Sequence, residues 1–112
     1  MTETKIALFK GKKVRRIIYN NEWWFSVVDV IEVLTDSNKP RVYWHAMKVR
    51  VRDEDGIELS TNCRQLKLIS SDGKKYETDC ASTETLFRII QSIPSPKVEP
   101  YSNFKFSFLN FQ

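Results

Sequence analysis

Apolar residues follow the period of a strand over the first part of the chain and shift to the period of a helix near Val27. Lys5 to Phe9 and Lys13 to Tyr19 read as short β-strands, separated by Lys10-Gly11-Lys12, a glycine-containing break of the hairpin kind. In the second run Val14, Ile17 and Ile18 are apolar, while Arg15-Arg16 interrupts strict alternation. Either one residue bulges there or the strand is partly buried on both faces. Asn20-Asn21 tolerate left-handed backbone and lead into a third strand, Glu22-Trp23-Trp24-Phe25, which completes a three-stranded antiparallel meander. One of the two Trp rings, Trp24 or its neighbour, is expected to anchor the core rather than to stack on a base.

Ser26 is a candidate N-cap, with Asp29 standing in for the Glu of a capping box. Val27, Val30, Ile31 and Leu34 then recur on one face of a helix over Val27 to Thr35, short enough that this face must pack on the sheet. The polar run Thr35 to Pro40 breaks the pattern. Asn38 can cap a second helix with Lys39-Pro40 in its first turn. Its expected apolar stripe is Val42, Tyr43, Ala46, Met47 and Val49, with Arg41, Trp44, His45, Lys48 and Arg52 largely off it; Asp53-Glu54-Asp55-Gly56 reads as the loop that follows. Glu58 to Arg64 is ambiguous. Gln65 to Ile69 and Lys74 to Thr78 form a second hairpin around Asp72-Gly73, a candidate wing beside the helix pair. Ser82 or Thr83 caps a core helix over Thr85 to Ser92, carrying Leu86, Phe87, Ile89, Ile90 and Ile93, and Pro94 stops it. Pro96 is a possible start of a further helix, and in Tyr101 to Gln112 the spacing of Phe104, Phe106, Phe108 and Phe111 fits a strand or a helix.

A chain of 112 residues is one small domain. It has no apolar run long enough to cross a membrane and no leader-like N-terminus, so a cytoplasmic location is the expectation. Cys63 and Cys80 with one His do not make a metal site, and both read as buried free thiols. No nucleophile motif, phosphate-cradling glycine loop or telling carboxylate pair is present, so an enzyme is not expected and no cofactor is implied.

Charge changes the picture more. Residues 1–52 hold eleven Lys/Arg against five acids, and residues 53–112 hold seven against nine. The positive half carries a helix-turn-helix outline, two helical patterns around a tight polar turn. Arg41, His45, Lys48 and Arg52, spaced 4, 3 and 4 apart, share one helix face. They are either a recognition surface for the major groove or an ordinary solvated face. Lys10, Lys12, Lys13, Arg15 and Arg16 either grip a nucleic-acid backbone or minor groove, or are edge-strand charges that discourage aggregation. Lys74 and Lys75 are either a wing tip on phosphate or turn-solubilising charges. Trp44 is left open, a dimer contact being one option.

In combination, EWWFSVVDVIEVLT, PRVYWHAMK and QLKLISSDGKKYETDCASTETLFRIIQSIPSPKVEP resemble the N-terminal domain of the BRO family, found in prophage antirepressors and large-DNA-virus proteins. The resemblance covers about residues 5–100. After Pro100 the chain departs from it: a basic, Trp-containing helix is usual there, and YSNFKFSFLNFQ stands in its place. The resemblance implies DNA binding by this domain and a regulatory role in phage.

The expected fold is therefore α+β, a small antiparallel sheet or hairpins with three to four short helices, over residues 1–100, followed by a divergent aromatic tail, 101–112. The expected function is binding of duplex DNA, as a homodimer, through Arg41, His45, Lys48 and Arg52 with Lys12, Lys13, Arg15, Lys74 and Lys75. The competing readings are a protein-interaction module that binds a repressor, and an inactive prophage remnant.

Overall fold

The computed structural model describes residues 3–94 apart from Lys10, and the expectations for Lys10 and for residues 95–112 lie outside the described residues. The element order is β1 (Lys5–Phe9), β2 (Lys12–Tyr19), β3 (Glu22–Ser26), α1 (Val27–Thr35), α2 (Pro40–Asp55), β4 (Arg64–Ile69), β5 (Lys75–Ser82) and α3 (Thr83–Gln91). The strands form one antiparallel sheet in the order β1-β2-β3-β5-β4. The α+β expectation holds, with three helices among the described residues.

The meander is built as the sequence implies. Asn20 and Asn21 both take positive φ, 53° and 64°, the backbone that a tight two-residue hairpin turn requires. Both β2 registers run without a slip, from Lys5↔Arg16 to Phe9↔Lys12 and from Arg16↔Phe25 to Tyr19↔Glu22. The Arg15-Arg16 doublet is thus no bulge; β2 is partly buried on both faces. Val14, Phe25 and Ala81 face the helices in the main core, while Ile17 and Trp24 pack with Leu68 and Cys80 on the opposite face. Trp24 is the buried ring of its pair, and its Nε1–H donates to the Tyr19 carbonyl at 3.2 Å. Trp23 is half-buried, with the Arg16 guanidinium 4.0 Å from its ring centroid.

The second hairpin is not a free-standing wing. Its β5 strand pairs with β3 through Trp24↔Ser82, Phe25↔Ala81 and Ser26↔Cys80, so the hairpin enlarges the sheet. Only the end toward the turn, beyond that short pairing, projects. The turn closes with Ser70 N–H on the Lys74 carbonyl (2.8 Å) and Gly73 N–H on the Ser70 carbonyl (2.9 Å), with Gly73 at φ 85°. This is a three-residue connection whose left-handed position suits glycine.

Ser26 caps α1 as expected, accepting from Asp29 N–H at 3.4 Å. The Asp29 carboxylate does not complete a capping box. It is taken by Arg15: Nε donates to Oδ2 at 2.8 Å, Nη2 to Oδ1 at 3.0 Å, and the Arg15 backbone N–H to Oδ2 at 2.9 Å. The guanidinium continues to the Ile69 carbonyl at 3.1 Å, tying β2, the first turn of α1 and the hairpin end together. The carboxylate raises the Arg15 pKa above its ordinary value, chiefly through this hydrogen bond.

α2 corrects three expectations. Its N-cap is Lys39, not Asn38, and makes no side-chain capping bond; Pro40 stands in the first turn. The helix runs through Asp53-Glu54-Asp55 to Asp55 and ends at Gly56 (φ 70°), whose N–H donates to the Arg52 carbonyl at 2.9 Å. Acids at a helix C-terminus oppose the dipole, but the burial of Val51 and the glycine cap carry the helix past them. The buried face is Trp44, Met47 and Val51, while Val42 and Ala46 from the expected stripe face solvent. In α3, Leu86, Ile89 and Ile90 are core and Ile93 is buried just beyond it, but Phe87 is largely exposed.

Cys63 and Cys80 are both free, but only Cys80 is buried and Cys63 is half-buried; desolvation pushes the thiols up, Cys63 to about 11 and Cys80 to about 12. Neither thiol should react with an aromatic disulfide reagent at pH 8 until the protein is unfolded, as followed by absorbance. Above the ordinary thiol value of 9.0 the native state holds protons that the unfolded chain releases, so the thiol contribution to stability falls as pH rises from 9.0 toward about 11. Fast labelling of native protein at pH 8 would contradict this burial. Asp29→Ala should cost roughly 2 kcal/mol, below the ~3–5 kcal/mol of a fully buried pair because the side chains of Arg15 and Asp29 keep 18% and 14% of their exposure. In thermal denaturation that is a fall of roughly 10 °C in Tm; an unchanged Tm would show that the junction carries no stability.

Candidate nucleic-acid interface

α1 and α2 are joined by Asp36–Lys39, with Asp36 at φ 55° in the left-handed position and its N–H on the Glu32 carbonyl at 2.9 Å. Asp is among the few residues other than Gly that take that backbone readily. The outcome is two helices around a four-residue turn, the helix-turn-helix outline, with α2 exposed along one side.

Arg41, His45, Lys48 and Arg52 share a row on α2 but do not share a fate. Arg41 and His45 are exposed and meet no carboxylate among the described residues. Lys48 is half-buried and leans inward: its Nζ lies 3.8 Å from Asp79 Oδ2 and 5.0 Å from the Trp44 ring centroid. Arg52 is exposed, with Nε 3.4 Å from Asp53 Oδ1. Between them Arg50 donates to the Ser92 carbonyl at 2.9 Å and lies 4.0 Å from Glu54. The N-terminal half of α2 therefore presents Arg41 without an ion pair beside the exposed His45, and the C-terminal half is neutralised by its own acids. Trp44 is buried within its own chain, its Nε1–H donating to Asp79 Oδ2 at 2.8 Å.

The remaining candidates divide the same way. Arg15 is committed to the Asp29 junction. Lys12 pairs with Asp36 at the surface. Lys13 is exposed on the rim of a shallow groove that also takes in Ile6, Asp29, Ile69 and Ser71. Lys74 and Lys75 are exposed at the hairpin turn and form no ion pair among the described residues. A second groove of about 560 Å³ lies between the first turns of α2 and the hairpin, lined by Arg41, Trp44, Tyr76 and the acids Asp72, Glu77 and Asp79 among others. The hairpin tip thus stands beside the N-terminus of α2. Asp72 is ordered there by the Tyr76 hydroxyl at 2.6 Å and Lys74 N–H at 2.8 Å, which hold its carboxyl below the usual range.

Of the two residues that organise this site, Asp79 carries no weight in the sequence reading and Asp29 figures there only as a capping residue. Asp79 accepts from Trp44 and Gln65 (3.1 Å) and attracts Lys48, so it locks α2 to the sheet. Asp29 does the same for α1. The strand expected at Lys74 to Thr78 runs on to Ser82 and so takes in Asp79, a residue unfavourable in a strand unless its carboxylate is bonded.

Among the described residues no group of three His, Cys, Asp or Glu is placed to hold a metal, and no helix is long and apolar enough to cross a membrane. The chain matches the family model of the BRO family N-terminal domain over residues 13–107. It belongs to the BRO family. The matched span takes in both helices of the helix-turn-helix, the hairpin and α3, and runs past Pro100, where the resemblance was read to end. No curated protein and no solved structure matched this BRO-family chain.

Asp79→Ala should destabilise this BRO domain by about 1–3 kcal/mol, because Trp44 Nε1–H loses its acceptor in a buried site. Arg41→Ala and His45→Ala, both at exposed positions, should stay within about 0.5 kcal/mol of the parent in urea denaturation. Equal effects from all three would remove the distinction between the locked and the free side of α2.

Proposed function

We propose that this BRO-family domain is a regulatory DNA-binding module that lays the N-terminal half of α2 in the major groove of duplex DNA. The observation that carries the reading is the solvent face of α2, where Arg41 and His45 are exposed and form no ion pair among the described residues, with Arg41 on the groove it shares with the hairpin and Lys74 and Lys75 exposed at the hairpin turn. Arg41 and His45 in the first turns reach base edges or flanking phosphates, and Lys74 and Lys75 hold phosphates to one side. Asp53, Glu54 and Asp55 at the far end of α2 repel the backbone and tilt the helix so that its N-terminus enters first. Lys13 and Lys12 add positive charge along β2, and Lys12 is free to exchange Asp36 for a phosphate. Arg15 and Lys48 support the fold and leave the contact set; Arg52, paired with its neighbour, contributes little. One helix buries too little surface for tight specific binding, so two copies bind together.

The test is fluorescence anisotropy with labelled duplex DNA across a salt series. Affinity should fall steeply with salt, and Arg41→Ala with His45→Ala should weaken binding by roughly tenfold. No binding of any duplex at low salt would refute the proposal. Retention of a repressor protein by the same double variant would then favour the protein-interaction reading.

A further inference from the structure

The cationic row accounts for only part of the solvent side of α2. The next row, about 100° around the helix, is Val42, Ala46 and Val49. Val42 is 63% exposed, the most exposed large apolar side chain among the described residues, and Ala46 is also exposed. A helix that serves only as a solvated face places polar residues at such positions, and Val42 lies in the first turn, flanked in sequence by Arg41.

We infer that Val42 and Ala46 read thymine, by apolar contact with its 5-methyl group in the major groove. This rests on the DNA reading above. The methyl is the one apolar group that a base pair displays in that groove, and small aliphatic side chains contact it. Ala46, one turn on, lets the helix backbone come close. The positive charge of the exposed Arg41, next to Val42 in the first turn, draws the phosphates to this end of α2 and brings Val42 to the base edges. The occupant assigned to this apolar row is thymine-bearing duplex DNA.

The experiment starts from duplexes selected by the full chain out of a random pool. Each thymine is replaced in turn by deoxyuridine, which removes only the methyl group. At a thymine contacted by Val42, this replacement should weaken binding about fourfold, as expected for one methyl-sized apolar contact. Val42→Ser should bind thymine and deoxyuridine duplexes equally, with an unchanged melting transition because the side chain is exposed. Retained discrimination by Val42→Ser, indifference of the parent to every replacement, or a pool with no enriched sequence would each overturn the inference while leaving DNA binding intact. Absence of binding to any duplex at low salt would overturn the DNA reading and the inference with it.

Discussion

The ion pair between Arg15 and Asp29 is the constraint on which the rest of the arrangement depends. It joins a strand to the first turn of the helix that follows the meander, and the same guanidinium reaches the end of the second hairpin. A two-pronged guanidinium–carboxylate contact has a fixed plane and a fixed distance. It therefore orients α1, and through the short turn at Asp36 it orients α2 as well. Placing these charges in a half-closed junction has a desolvation cost. The additional donation from the Arg15 backbone N–H offsets part of that cost and holds the carboxylate in one position.

A second polar lock, Asp79, works on α2 directly. It draws Trp44 and Lys48 toward the sheet, so the helix turns one face inward and leaves Arg41, Val42, His45 and Ala46 outside. The acidic end of the helix then has a physical role. It neutralises Arg50 and Arg52 locally and confines free positive charge to the N-terminal half. Polarity along one helix, more than net charge, gives the proposed interface its direction.

Much of the fold is legible in the residues. The Asn-Asn turn, the Ser26 cap, the apolar face of α1 and the Asp-Gly hairpin all follow from local rules that act within a few positions. The family membership was legible for the same reason, since it resides in the order of these local pieces. The limits of α2 were harder to read. Its acidic end argued against helix, and only the buried position of Val51 and the left-handed Gly56 outweighed that local preference.

The candidate site was legible as a row of basic residues but not as a division among them. Spacing places Arg41, His45, Lys48 and Arg52 together, and also allows two apolar stripes one residue apart, so it cannot tell which stripe the sheet will take. That choice was made by Asp79, 35 positions from Trp44 in the chain, and the matching choice for Arg15 by Asp29 and by Ile69, 54 positions away. By itself the sequence determined the elements, the family and the supply of charge, because these depend on neighbours along the chain. Only the tertiary structure decided which cations are spent holding the fold and which stay free, because a charge is neutralised by whatever lies beside it in space.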